Sequence, residues 1–480
     1  MLMRDGMIYI AAKVVPSALG FTTTIGLTWL LTAEAYGVYG FGLAAAALGS
    51  NALFDWHALS FMRWYQSRGQ EAGFMPTALA LFAAVCAVSL VLGGVPLFTG
   101  LFDGWGPLPW VLLPGIWAYA WFEFAARIQV ANFRPLRYLT MNLARNALIL
   151  TGALTAAHLS GSGAVVLAVA FAGMAVAGSL YLGDGTIRLR RVFDVSLARA
   201  MMVYGAPICL TTISSGLMVS ANRLMVGAFT DMRSVAYLTA ADMLVQASIG
   251  VIGAGIGSAT YSLAVRAVES GNAAEAHRQL RQNVLYLAGL LLPAAVGLSC
   301  VAPLLARVLL KPEYLTAVAQ TTPWLAASAA LLGLRAHYVD HAFQLGNRTW
   351  LLARVMVTGA LLNVLLNCLA IPLWGYMGAA MSMTAAVSGT FLYAAFLSRR
   401  AYPLPLPLAG LSRIALASGL MALAIETVPA WPGLPGLGVA VLAGALTYGA
   451  SMLALHPGWS RDALRRWRGQ GVTLRQNSIG

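Results

Sequence analysis

Charge is what this chain has least of. Asp, Glu, Lys and Arg together make up 10% of its 480 residues, where soluble domains carry about 25%. That shortage excludes a water-exposed globular enzyme and a disordered chain, both of which need abundant polar surface. Acid is scarcer than base: 16 Asp and Glu stand against 30 Lys and Arg, a net charge of +14. In a soluble protein that surplus would point to nucleic acid. Here 59% of residues are hydrophobic and the mean hydropathy is +0.75. The cations therefore read as loop anchors at anionic lipid, with membrane lipids and no nucleic acid as partners. Cysteine is sparse as well. Cys86, Cys209, Cys300 and Cys368 lie far apart inside apolar runs, with no CxxC. That argues against a disulfide framework or a zinc site and for small packing residues. No cofactor is implied.

What the chain has instead is long apolar runs. Leu361–Met383, LLNVLLNCLAIPLWGYMGAAMSM, reads as two helices broken by the short connection IPLWGYMG. Pro372 cannot continue a helical ladder, and Gly375 and Gly378 permit the backbone angles of a turn. Gly378-Ala379-Ala380 then lets a neighbouring backbone come close. Asn363 and Asn367, four apart, share one face of the first helix. The unit is a transmembrane hairpin.

Runs of about 20 apolar residues place spans near 8–31, 38–61, 77–99, 108–131, 138–158 and 163–182. A second set follows near 202–228, 234–264, 284–309, 320–343, 350–371 and 376–397, and two more near 409–428 and 436–455. The predicted fold class is all-α integral membrane with fourteen spans. The connections after every second helix carry Arg63/Arg68, Arg134/Arg137, Arg188/Arg190/Arg191/Arg199, Arg266/Arg278/Arg281, Arg348 and Arg399/Arg400. The opposite connections are short and nearly free of base, Arg233, Arg307 and Lys311 excepted. By the positive-inside rule both termini are expected in the cytoplasm. The first run, with Arg4 before it and Lys13 within it, is too long for a signal-peptide core and reads as an uncleaved helix.

A weak internal repeat accompanies the spans. Pro16 and Pro207 fall early in helices 1 and 7, and Thr32…Tyr39 is matched by Thr230…Tyr237 at the same offset. Two pseudo-symmetric six-helix lobes are expected, 1–183 and 201–398, joined by a basic cytoplasmic linker at 184–200. Residues 399–456 add two helices, and 457–480 form a basic tail. Repeats of this kind build a midplane cavity in many transporters.

A charge at mid-bilayer costs about 2.5–3.5 kcal/mol, so each one inside a span needs a reason. Lys13, Ser17, Gly20, Thr24 and Thr28 fall on one face of helix 1, and Asn51 and Asp55 on one face of helix 2 with His57 nearby. Thr211, Ser215, Met218 and Asn222 share a face of helix 7 beside Arg223. Asp242, Gln246, Gly250, Gly253 and Gly257 share one of helix 8. Four polar stripes on the leading helices of both halves point to a hydrated cavity between lobes. The plainer alternative is snorkelling: Lys13 and Asp55 lie only about 10 Å from a span end. Glu123 and Arg127, four apart, are expected to pair within helix 4, and Arg145 either lines the cavity or snorkels. His337, Asp340 and His341 have metal-like spacing but no further ligand nearby, so they read as a polar helix end. The GAGIGS run at Gly253 reads as close helix packing, since no strand precedes it to make a nucleotide loop.

Three further stretches join the hairpin: AEAYGVYGFGLAAAAL, Leu310-Lys-Pro-Glu-Tyr314, and PICLTTISSGLMVSANRLMVGAFTDMRSVAYLTAADML. Together they resemble the polysaccharide transport family of oligosaccharide flippases, in the multidrug/oligosaccharidyl-lipid/polysaccharide exporter superfamily. The resemblance runs from about residue 8 to 400. It implies a V-shaped pair of lobes that exports undecaprenyl-pyrophosphate-linked sugar units, such as O-antigen or exopolysaccharide repeats, across a bacterial inner membrane. A polysaccharide polymerase and glycosyltransferases are the implied partners. Many relatives carry an acid before the arginine late in helix 7, where this chain has Asn222-Arg223. For such a substrate Lys13, Thr24, Asn51, His57, Arg145, Asn222 and Arg223 are the expected head-group contacts, and Asp55, Glu123 and Asp242 the expected coupling-ion carriers. Two other readings are a multidrug/cation antiporter of the same superfamily, which needs an acidic cleft, and a glycan polymerase, ligase or acyltransferase, which needs catalytic outer loops. The outer loops here are short, and no nucleophile–base pair is evident.

Overall fold

Hydrocarbon offers the backbone no hydrogen bonds, so each spanning segment must satisfy its own. The computed structural model describes residues 2–99, 103–182, 193–250, 266–268, 270, 272–429 and 431–455, with side chains from Val15 onward except 96–98 and 103. Among these residues every regular element is a helix. The first half contains α1 (Leu2–Leu30), α2 (Ala33–Arg68), α3 (Phe74–Phe98), α4 (Leu108–Ala131), α5 (Pro135–Ser160) and α6 (Gly163–Leu180). The second contains α7 (Val195–Phe229), α8 (Met232–Val245), α9 (Ala273–Leu309), α10 (Leu315–Leu334), α11 (349–374) and α12 (376–401). Then come α13 (Leu408–Thr427) and α14 (Gly433–Leu455). Fourteen long helices thus stand among the described residues, as the apolar runs predict.

Nine helical stretches among the described residues are long and apolar enough to cross a membrane, 349–401 counting as one. Helices α1, α4, α5 and α8 fall outside that set. Of these, α8 is short over its described residues (14), while α5 carries Arg145, Asn142 and Asn146 within its length, polar groups that a spanning helix keeps toward a protein interior. The chain is a multi-pass membrane protein.

The helix pairings recur six elements on. α1 packs on α5 and α2 on α4. In the second half α7 meets α11 through the Asn222–Asn367 hydrogen bond, and α8 packs on α10. α4 packs on α6, and α10 meets α12 where Thr384 donates to the Trp324 carbonyl at 2.8 Å. Between the halves, α2 lies along α7 and α8. The start of each of these helices is capped: Thr32 accepts from the Ala35 N–H and Asp231 from the Ser234 N–H. The counterpart of Thr32 is therefore Asp231, one residue past the expected Thr230, whose hydroxyl instead donates to the Val226 carbonyl.

The hairpin turns more tightly than its sequence suggests. The helical ladder runs through Pro372, and Gly375 alone reverses the chain, with φ 55° and ψ −137°. Positive φ of that kind is open to glycine at no steric cost. The reversal brings Asn363 Nδ2 within 3.6 Å of Met383 Sδ, and Gly378 packs directly on the Ala370 carbonyl.

The arginine-bearing connections gather at one end. There Arg68 reaches Asp194 at 2.7 Å, and His277 stacks near Tyr402 with ring centroids 6.0 Å apart. Asp194 caps α7. The Leu197 N–H, the Ser196 hydroxyl and the Arg68 guanidinium hold its carboxyl down at about 2. Arg188, Arg190 and Arg191 of the expected linker, Gly253 and Gly257 on helix 8, and the tail 457–480 lie outside the described residues.

Candidate functional site

At the end opposite the basic connections, the two halves are sewn together. The Trp29 indole donates to the Leu309 carbonyl and Lys311 Nζ to the Leu31 carbonyl, both at 2.9 Å. Tyr36 and Tyr314, fully buried, meet edge to face with centroids 6.2 Å apart. Tyr237 extends the stack to Tyr314 and Tyr376 at 5.6 and 5.5 Å. Gly37 of α2 lies against the Met232 backbone at the start of α8, where a Cβ would overlap the Met232 carbonyl oxygen. Arg233 and Glu34 add an exposed pair at 3.5 Å.

Beneath this seal is a cavity of about 380 Å³, within the range of small-ligand pockets, roughly 300–1,000 Å³. α1 supplies Gly20, Thr23 and Thr24, α2 supplies Tyr36 and Tyr39, and Tyr119, Arg145 and Asn146 come from α4 and α5. Ser220, Arg223 and Thr239 close it from α7 and α8. Its charged lining is Arg145 and Arg223. The Thr239 hydroxyl and Arg145 Nε are buried with no hydrogen-bond partner.

Toward the basic end the cavity narrows where Gly216 of α7 meets α2. A Cβ there would lie 3.0 Å from Asn51 Nδ2 and 3.1 Å from Leu48 Cδ1. Past this constriction is a second, more open crevice of about 630 Å³, lined by Asn51, Asp55, Thr211, Thr212 and Ser215 together with Trp350 and Met356 of α11. The polar stripes are thus divided: Gly20 and Thr24 of helix 1 line the first space, Asn51, Asp55, Thr211 and Ser215 of helices 2 and 7 the second, and Asp242 and Gln246 of helix 8 neither.

Arg145 guanidinium lies over the Phe122 ring at 4.4 Å and has no ion-pair partner among the described residues. Arg223 pairs with Asp242 of α8, and Gln246 Nε2 approaches the other Asp242 oxygen at 3.5 Å. Asp242, expected as an ion carrier, stands as the counter-ion of Arg223, an acid on the neighbouring helix where position 222 carries an amide. Arg223 borders both the 380 Å³ cavity and a space of about 40 Å³ that contains Asp242, Gln246 and Ser328.

Several expected contacts stand elsewhere. His57 is buried, its Nε2 at 2.8 Å from the Ala78 carbonyl. Its ring lies against Phe124 at 5.1 Å and Phe82 at 6.0 Å. This is a core histidine between α2, α3 and α4, and it lines neither space. Glu123 and Arg127 do not pair, and both lie within electrostatic range of Asp55. The Lys13 side chain lies outside the described residues. Among the described residues no His, Cys, Asp and Glu group could hold a metal. Asp340 instead faces Arg335 at 3.6 Å, both buried, across the π-turn Arg335–Val339. Cys368, expected to pack, is exposed.

Asn222 is the contact that sequence spacing hides best. Asn367 Nδ2 donates to Asn222 Oδ1 at 2.7 Å and to Asn363 Oδ1 at 3.0 Å, with both α11 residues fully buried. Three amides form a neutral clamp between α7 and α11. Asn367→Ala leaves two buried carbonyls unsatisfied, each costing about 1–3 kcal/mol. A thermal melt of the purified variant should fall by several degrees, whereas an unchanged midpoint would show that water replaces the amide.

Helix count, pairing and polar interior together define an all-α membrane protein with a central cavity between two helical sets. Residues 130–319 match the family described as Polysaccharide biosynthesis protein. None of the curated proteins matches the chain in sequence. In fold the chain is similar to the lipid II flippase MurJ in an inward closed conformation. The TM-score is 0.78 at 14% identity, over 94% of this chain and 99% of that one. It is also similar to an inward-facing multidrug resistance MATE transporter of the MOP superfamily, with TM-score 0.60 at 12% identity over 86% and 99% of the two chains. A MOP superfamily transporter from Pyrococcus furiosus, described as having a binding pocket of reverse polarity, gives 0.55 at 14% identity over 86% and 96%. The resemblance read in the sequence thus stands on a family match across part of the chain and on the fold across nearly all of it.

Proposed function

We propose that the protein is a flippase that carries an undecaprenyl-pyrophosphate-linked oligosaccharide from the cytoplasmic to the outer leaflet of a bacterial inner membrane. The observation that carries this reading is Arg145: a cation on the wall of a 380 Å³ interior cavity, with no carboxylate in the cavity's described lining and no ion-pair partner among the described residues. A charge at this depth is costly, and an anionic ligand would offset that cost. Thr24, Ser220, Thr239 and Asn146 surround it with groups suited to sugar hydroxyls. A cation antiporter would need acid in that lining, where the charged groups are two arginines. The polyprenyl chain stays in the bilayer while the head occupies the cavity.

In this reading the basic end faces the cytoplasm, and the lobes 1–183 and 201–398 rock about the α2–α7 and α2–α8 contacts to alternate access. Helices α13 and α14 flank the second lobe. With the cytoplasm negative, outward movement of the head is favoured by about 2.3 kcal/mol per negative charge per 100 mV. Asp55, Glu123 and Asp242 are the candidate carboxylates for ion coupling, and a polymerase and glycosyltransferases are the natural partners. The protein moves its substrate without chemistry. The test is reconstitution into vesicles containing a fluorescent polyprenyl-pyrophosphate-linked oligosaccharide. The labelled head should change leaflets faster than in protein-free vesicles. Failure to do so, with uptake of an organic cation by the same vesicles, would overturn the assignment.

A further inference from the structure

Arg223 has two faces. One borders the large cavity, and on the other Asp242 holds the guanidinium from a separate small space that also contains Gln246. Asp242 does not line the large cavity. An anion entering that cavity therefore meets an arginine already committed to an internal carboxylate. A guanidinium has five N–H donors in a planar fork, so a phosphate can take its free edge before the carboxylate lets go.

We propose that Asp242 is a built-in competitor that weakens the hold of Arg223 on the anionic head and returns the arginine to its own carboxylate when the head leaves. A carrier that binds too tightly in both access states cannot discharge its load, because binding that is equal in the two states drives no change between them. The inference rests on the anionic-substrate reading and assigns Asp242 a release role within it.

A competing role and a positioning role predict opposite signs. If Asp242 merely orients Arg223, its removal weakens anion binding. If it competes, removal strengthens binding, and by a larger factor for a ligand of higher charge. The test compares the full-length protein in nanodiscs with Asp242→Asn, using inorganic pyrophosphate and dimethyl phosphate as probes in equilibrium dialysis. The variant should bind dimethyl phosphate about tenfold more tightly and pyrophosphate by a greater factor. In vesicles it should translocate the lipid-linked substrate more slowly than wild type. If Asp242→Asn does not fold, Asp242→Ala carries the test with added acetate. Acetate should then antagonise pyrophosphate binding at concentrations that leave the wild type unaffected. Unchanged or weaker pyrophosphate binding by either variant, with the wild type binding normally, would overturn the competitor role alone. Absence of binding by wild type and variant alike would overturn the anionic-cavity reading and this role with it.

Discussion

Replacing both Arg145 and Arg223 by alanine is expected to abolish translocation of the lipid-linked head in vesicles while the protein still reaches the membrane. Arg145 is the unpaired cation of the cavity wall and Arg223 the paired one. Their removal leaves Asp242 without its counter-ion and strips the 380 Å³ cavity of its charged lining. Each charge-assisted bond to phosphate is worth about 1.5–3 kcal/mol. Losing two should lower turnover on the order of a hundredfold or more, a factor of ten corresponding to about 1.4 kcal/mol. Lysine at both positions keeps the charge but not the planar fork, and should recover only part of the activity. A double alanine variant that transports normally would show that the head does not touch this wall.

Gly37→Leu should be nearly as damaging, for a different reason. The contact at Gly37 is backbone on backbone, so no rotamer of a neighbour can make room for a side chain. The start of α2 must then move off the start of α8. That movement breaks the register of the Trp29, Lys311 and tyrosine contacts that close this end. Overpacking of this sort costs about 1–3 kcal/mol, which shifts a two-state balance by roughly 5- to 150-fold. Transport should drop to about a fifth of wild type or less. Normal transport by Gly37→Leu would mean that the seal does not have to form during the cycle.

The span count was legible because hydrocarbon imposes a length and a composition on every crossing segment, and the runs around Gly93, Leu290 and Leu442 state it directly. The hairpin at Gly375 was legible in place, though not in the single residue that makes it. The pairings were not. Arg223 and Asp242 are 19 residues apart on adjacent helices, and Asn222 and Asn367 are 145 apart. Facing of that kind depends on helix rotation, which a one-dimensional stripe does not encode. His57 is a different case. It lies two residues beyond Asp55, and two residues turn a helix by about 200°. The spacing itself therefore placed it on the far face, among Phe82 and Phe124. Glu123 and Arg127 had the right spacing and still do not pair, since i,i+4 proximity allows a contact without requiring one.

The 380 Å³ cavity between the two helical sets has Arg145 and Arg223 as its charged lining, and a hydrated, net positive space there is open to thiol chemistry at Thr24, on the same lining. In a cysteine-free background carrying Thr24→Cys, anionic and cationic methanethiosulfonates are applied from the basic side. Their rates are normalised to those with a free thiol. The anionic reagent should react about tenfold faster than the cationic one, a preference lost in Arg145→Ala/Arg223→Ala. A thiol that neither reagent reaches, or one that the cation reaches first, would contradict a hydrated, net positive space.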